Sequence, residues 1–511
     1  MDKNKIRKIL KYILFISIPL ISVAISNLGN GKMIRDFYLP KMFEGNDELV
    51  YVKQVAGTIK YGIPLGYFGY NESHAIIGSY SCWSPALLIG WIFFGSIFGW
   101  NSTTLVLINI ILLTLSFVAI CFILNPDIKQ ILQIALVYAS ATWITRFIYS
   151  AIPETTCYSL SIILICLVIK AMKDYSKYNI VFQFIIVFLL TIMRPFYLSL
   201  IVFPVWILWK NKSKVRWFAP TICTGLFCAS YFLVNHFLCA PYQEGKGEVS
   251  LTNLKAFSFD SGILKFVYRI LQTIVGSFKE MLIYLKHFFE GNGSKGLSLF
   301  LLLFIFFLYK AYQSYKEKER DCFFLFVSCV IAYFLMLMAV FLFFSFGAGD
   351  KHLIEFVVWG MFVLLLSGTL RIKEFIILEM ALIFSYVFCP TQMSNPPKTE
   401  IAECREEFQK YEDELQAVMI LDQESKTPSY SNTIDWIYAD DKDATNWPIL
   451  FAVPDGFGIS FCYREWFLDD ATEIQSRYVA TVPNQSCARK CEEMGGWLIA
   501  EYEGIAIYQL Y

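Results

Sequence analysis

TTLVLINIILLTLSFVAICFIL, residues 103–124, runs from Thr103 to Leu124 without one Asp, Glu, Lys or Arg. As a helix it would be about 33 Å long, enough to cross a hydrocarbon layer of about 30 Å. Similar apolar runs occupy 12–27, 131–149, 155–171, 179–193, 195–209, 218–239, 297–312, 322–346, 353–370 and 375–390. The chain of 511 residues is 56% apolar and only 17% charged, which soluble chains of this size rarely are. Its 43 basic and 43 acidic residues cancel, so charge gives no argument for a nucleic-acid partner. These runs predict an all-α polytopic membrane domain of about eleven transmembrane helices over residues 1–390. The remainder, 391–511, is predicted to be a small extracytoplasmic α/β domain.

The apolar stretch 85–98 is shorter and lies between Pro85 and Gly99-Trp100-Asn101. It reads as a helix at or dipping into the interface. With that choice the basic clusters Lys3–Lys11, Lys129, Lys170–Lys177, Lys210–Arg216, Lys310–Arg320 and Arg371-Lys373 all fall on the cytoplasmic side. Merging 179–209 into one helix would send Lys210–Arg216 outside. Counting 85–98 as a span would invert everything after it. The N-terminus is then inside and the C-terminus outside. Usage rich in Lys, Asn and Ile points to a bacterial inner (cytoplasmic) membrane.

That topology gathers ionisable residues at the outer face. The first outer loop, 28–102, holds Glu44-Gly45-Asn46-Asp47-Glu48, then Glu72, His74 and Ser81-Cys82-Trp83-Ser84-Pro85. Pro153-Glu154 opens an inward span, and Arg194-Pro195 sits between two short ones. A second long outer loop, 240–296, has an amphipathic stretch near 263–289. Lys351-His352 precedes a late span. Charges at a membrane boundary are costly unless paired or wetted, which makes each a functional candidate. The combination suits an anionic lipid headgroup: cations for phosphate, a carboxylate to take a hydroxyl proton.

The order and sidedness of Asp47-Glu48, Tyr51, Ser84-Pro85, Pro153-Glu154, Arg194-Pro195 and Lys351-His352 resemble the GT-C superfamily of integral membrane glycosyltransferases. The resemblance covers about residues 1–390. It implies a membrane glycosyltransferase moving a sugar from a polyprenyl-phosphate donor to a cell-envelope glycan, lipid or protein acceptor, with inversion. It implies Asp47 as base, with Glu48 and Glu154 orienting acceptor or metal, and Arg194, Lys351 and His352 on the donor phosphate. Departures are Lys351-His352 where Arg followed by Tyr or His is usual, and Ser84-Pro85 where a double proline is usual. Trp83 is a candidate to stack on sugar and His74 a further substrate-side candidate. A divalent ion, Mg or Mn, bridging Asp47 to phosphate fits this reading, while four His without metal spacing give no structural metal site.

Each candidate has a plainer role. Asp47 and Glu48 read equally as solvated loop acids, Glu154 as a helix-start charge, Arg194 as a snorkelling cation, and Lys351 and His352 as ordinary boundary residues. The Trp residues near span ends, including Trp91, read as interfacial belt. The alternative function is a transporter or flippase of a lipid-linked glycan, which calls for midplane charges and inverted repeats. Few such charges and no repeat are visible, and no phosphate loop or nucleophile elbow occurs.

In the tail, Pro396-Pro397 reads as a linker and 399–418 as one charged helix. Strands are predicted at 449–453, 459–463, 477–482, 497–502 and 505–510, with a helix over 486–494. Cys404, Cys462, Cys487 and Cys491 allow three disulfide pairings if this domain is outside.

Overall fold

The structure is a computed structural model. It describes residues 3–30, 46–66, 68–73, 76–81, 84–141, 147–240, scattered positions between 268 and 283, 295–343, 346–387, 398–438, 448–502 and 504–511. The first part of the chain is helical: α1 (Lys3–Ile16), α2 (Ile18–Asn30), α3 (Asn46–Tyr61), α4 (Ile89–Phe98), α5 (Ser102–Leu124), α6 (Ile128–Ser140), α7 (Glu154–Lys173), α8 (Lys177–Met193), α9 (Val202–Lys210) and α10 (Phe218–Leu238). Then follow α11 (Lys295–Lys316), α12 (Arg320–Phe343), α13 (Phe346–Ser367) and α14 (Ile372–Val387).

Each expected span overlaps one of these helices or the turn between α8 and α9, although 131–149, 322–346 and 375–390 run partly outside the described residues. Length and apolarity separate them, however. Among the described residues five helices are long and apolar enough to cross a membrane, within α5, α7, α10, α11 and α12. The pair α1–α2, bent by 44°, makes a sixth if counted as one span. The others are shorter. These helices, which leave side chains such as Phe122, Phe182, Ile222 and Phe237 exposed, make the chain an integral membrane protein.

Polar residues set the helix ends. Asn101 caps α5 by accepting from the amide of Thr104, and Asn125 closes it in the left-handed region (φ 49°). Asp127 and Gln130 form a reciprocal capping box on α6. One end of the bundle gathers the basic clusters. Lys11 Nζ donates to Asn125 Oδ1 (2.9 Å) and the Pro126 carbonyl (2.8 Å), and Lys129 to the Leu370 carbonyl (3.2 Å). Lys210 pairs with Asp321 (2.8 Å) and reaches the Met172 carbonyl (3.1 Å). Buried Lys310 pairs with Glu374 and donates to the Thr369 carbonyl (both 2.7 Å), and Arg371 pairs with Glu317 (2.7 Å).

Segment 85–98 is a 3-10 turn, Pro85–Leu88, capped by Ser84, running into α4. Its first turn is buried, and Ile89, Phe93, Ile97 and Phe98 are exposed. Trp91 is fully buried and therefore not a belt residue.

The tail builds α15 (Lys398–Gln409), α16 (Glu412–Ser425), α17 (Arg464–Leu468) and α18 (Ser486–Glu493) around one sheet. Its strands are β1 (Phe68–Tyr70), β2 (Thr433–Tyr438), β3 (Gly458–Tyr463), β4 (Tyr478–Thr481), β5 (Trp497–Tyr502) and β6 (Ile505–Gln509), in the order β1-β3-β2-β4-β6-β5. The first four are parallel, and β5 and β6 close the far edge antiparallel. Strand β1 comes from the first loop, far back in the chain. The charged stretch read as one helix is two, α15 and α16. Residues 448–451 fold as a 3-10 turn rather than a strand, since Pro448 opens it and removes a ladder donor. Cys404, Cys462, Cys487 and Cys491 are all buried, and none of the three disulfide pairings is present.

Candidate active site

Three helix ends meet at the end of the bundle opposite the basic clusters. α7 and α8 are antiparallel neighbours, so the start of α7 lies beside the finish of α8. Glu154 occupies the first turn of α7, where the helix dipole favours an anion. Arg194 follows α8 in extended conformation (φ −144°, ψ 113°), held there by Pro195. Its Nη2 donates to Glu154 Oε1 at 2.7 Å, both side chains being almost fully buried. The Arg194 Nε has no hydrogen-bond partner among the described residues.

The third end is that of α13. His352 and Glu355 stand one turn apart on it, and His352 Nδ1 contacts Glu355 Oε1 at 3.2 Å. Tyr197, from the 3-10 segment Pro195–Ile201, donates its hydroxyl to Glu355 Oε2 at 2.7 Å. Phe196 covers the His352 ring at 5.4 Å between centroids. The ligating atoms of Glu154, His352 and Glu355 lie within 4.8 Å of one another, and all three residues are buried.

α3 approaches the same place. Tyr51 lies within electrostatic range of the Arg194 guanidinium, together with Glu355 and Cys157. Glu48, one turn before Tyr51 on α3, is fully buried. Behind the site, Asn109 in the middle of α5 accepts from Trp91 Nε1 (2.9 Å). Its amide nitrogen donates to the carbonyls of Ile148 (3.0 Å) and Ser150 (3.3 Å), bracing the turn that leads into Glu154.

Of the residues picked from the sequence, Glu154, Arg194 and His352 are thus brought together, and Glu48 is buried on the approaching helix. Asp47 and Lys351 lie on α3 and α13, but their side chains are outside the described residues, as are Trp83 and His74 altogether. Glu355, Tyr197 and Asn109 were missed. The first two carried a signal: each sits three residues after a chosen cation, His352 or Arg194, hence on the same turn.

No family model matches this chain, and no curated protein does either. Among solved structures it is similar to the apo crystal structure of the Archaeoglobus fulgidus oligosaccharyltransferase. That match has 12% identity over 92% of this chain and 69% of the other, with a TM-score of 0.49. It is also similar to the archaeal oligosaccharyltransferase AglB from Archaeoglobus fulgidus in complex with an inhibitory peptide and a dolichol-phosphate. There identity is 13% over 97% of this chain and 74% of the other, with a TM-score of 0.48.

Proposed function

We propose that this protein is an inverting glycosyltransferase that moves a sugar from a polyprenyl-phosphate donor to a cell-envelope acceptor at the extracytoplasmic face. One observation carries the reading: a buried cation, Arg194, and three buried acid or imidazole groups, Glu154, His352 and Glu355, converge at the end of the bundle opposite the basic clusters. Supporting the sidedness, the basic clusters contact one another at the opposite end of the bundle. The membrane is then the bacterial inner membrane, with the tail domain outside.

In this reading Arg194 holds the donor phosphate through N–H groups that Glu154 leaves unengaged, assisted by Lys351 and His352. Asp47 takes the proton of the acceptor hydroxyl, with Glu48 beside it on α3. The acceptor oxygen bonds to the sugar's anomeric carbon as the carbon–phosphate-oxygen bond breaks. The leaving polyprenyl phosphate keeps the electron pair, and the cations stabilise its charge. Glu154 and Tyr197 hold Arg194 and Glu355 in place. Trp83 would stack on the sugar and His74 would line its approach. Acceptor classes are an envelope glycan, lipid or protein.

As the alternative to His352 on the phosphate, a divalent cation would be held by Glu154, neutral His352 and Glu355, whose one nitrogen and two carboxylates suit Mn better than Mg. When bound it would neutralise phosphate charge.

The test is transfer of labelled sugar from a polyprenyl-phosphate pool in membranes at matched expression. Asp47→Asn should lose about a hundredfold or more, and Arg194→Met should lose transfer as well. Wild-type rates in both variants would refute the assignment.

A further inference from the structure

We propose that the tail domain is a positioning element of this site, and that Lys53 is the residue through which it acts. The proposal rests on the glycosyltransferase reading for its activity readout, but its geometry stands alone.

α3 lies between two cores. Tyr51 and Val55, one turn apart, pack with Leu88, Trp91, Leu105, Ile108 and Ala151 of the membrane bundle. Leu49 and Val50, on another face, belong to the core of the sheet domain with Trp436, Phe457 and Ile459. The face toward the bundle carries Glu48 and Tyr51 to the site. The face toward the sheet decides how the helix is rotated and how far it slides.

Lys53 locks that second face. Its side chain is only 5% exposed. An ammonium has three N–H donors, and three acceptors surround this one: the carbonyls of Phe451 (3.3 Å) and Val453, and Asp455 Oδ1 (3.5 Å). All three belong to the segment that runs from the last residue of the 3-10 turn Pro448–Phe451 to β3. Burial lowers the affinity of Lys53 for its proton, and Asp455 opposes that. A buried ammonium is retained only where such partners compensate its lost hydration.

The far end of α3 is fixed to the same segment. Tyr61 donates its hydroxyl to the Asp455 carbonyl at 3.3 Å. Gly456, at φ +94°, lets the backbone pass where a Cβ would lie 2.6 Å from Met419 and 3.3 Å from the Tyr61 ring. On its other face the bundle holds α3 through the packing of Tyr51 and Val55 and through Trp100 Nε1 on the Val52 carbonyl (3.1 Å). Lys53 is thus a clamp that transmits the position of the sheet domain to Glu48 and Tyr51. Displacing a reacting group by about 1 Å is enough to slow chemistry about a hundredfold.

The experiment uses the full chain in membranes or detergent, with two readouts: hydrogen exchange over 46–61, and kcat and KM for a polyprenyl-phosphate sugar. Lys53→Met should speed exchange in α3 about tenfold while α7 and α13 keep their protection. It should lower kcat about tenfold or more with KM nearly unchanged. Lys53→Arg, which keeps a cation on the carbonyls, should restore most of both. A folded Lys53→Met protein with wild-type exchange and wild-type kcat overturns the proposal. So does a rise in KM alone. If Lys53→Met does not fold, Asp455→Ala removes one partly exposed acceptor and should give the same changes, smaller; no change in exchange overturns the proposal there too. A wild type inactive toward every lipid donor sinks the glycosyltransferase reading only, because α3 exchange still decides the clamp.

Discussion

Asp435 stands in the middle of β2, fully buried, with its Oδ1 accepting from Ser476 Oγ at 2.7 Å. Beside it Glu72, drawn in from the first loop, accepts from the amides of Gln475 (3.0 Å) and Ser476 (2.7 Å). Burial, then the neighbouring Glu72 carboxylate, push the Asp435 carboxyl well above the ordinary 3.8. A carboxyl with a raised folded pKa holds its proton while the unfolded chain has already released it. Stability from this group is therefore full below about pH 4 and is lost as pH rises toward the folded value. Asp435→Asn, which stays neutral and can donate to Glu72, should raise the melting temperature by a few degrees at about pH 8 and change little at about pH 4. A melting series against pH checks it; a destabilised variant at both values would show that Asp435 is ionised and stabilising. The same pairing explains what was unreadable. An Asp inside a strand breaks the apolar alternation, so Thr433–Tyr438 did not read as a strand. Glu154, Arg194 and His352 were legible as charges out of place. Their mutual contacts were not, because partners lie about forty to two hundred residues apart and nothing local encodes the distance.

At the scale of elements, the apolar runs located the helices because lipid demands continuous apolarity along a span. Length was harder to read, since α6, α8 and α9 are short and gain stability from packing as well as from hydrophobicity. Asn109 shows what a run conceals. It lies in the run 103–124 that announced a membrane helix, yet it is fully buried and works as a strut between α4, α5 and the turn before α7. Its worth lies in satisfying groups that have no water to turn to. Asn109→Leu keeps the apolar pattern and roughly the volume, while leaving the Trp91 N–H and two carbonyls without their partner. We expect a loss of about 1–3 kcal/mol in stability, read by thermal melting in detergent. Faster hydrogen exchange at 147–153, next to Glu154, should accompany it. Unchanged melting and exchange would mean that the turn is held by its neighbours alone.

On the scale of the whole molecule, the linker at Pro396-Pro397 marks a change in composition but not the edge of the sheet domain's core. Leu49, Val50, Leu65, Phe68 and Ile77 all pack into that core from the first loop, and β1 covers the edge of β3. Burying a large apolar side chain contributes about 1.5–3 kcal/mol. Five of them supply on the order of 10 kcal/mol, as much as the entire net stability of an ordinary domain, about 5–15 kcal/mol. Parallel pairing between segments so far apart leaves no hairpin signal, which is why a loop that reads as solvated hides a strand and half of α3's packing. Residues 398–511 alone should therefore fail to melt cooperatively and should associate through the uncovered edge of β3. The same segment joined to 46–81 by a flexible linker should be monomeric and melt as one unit. Calorimetry with sedimentation distinguishes the two. A cooperative, monomeric 398–511 would show that the sheet domain stands on its own core, and that α3 and β1 dock onto a finished fold instead of completing it.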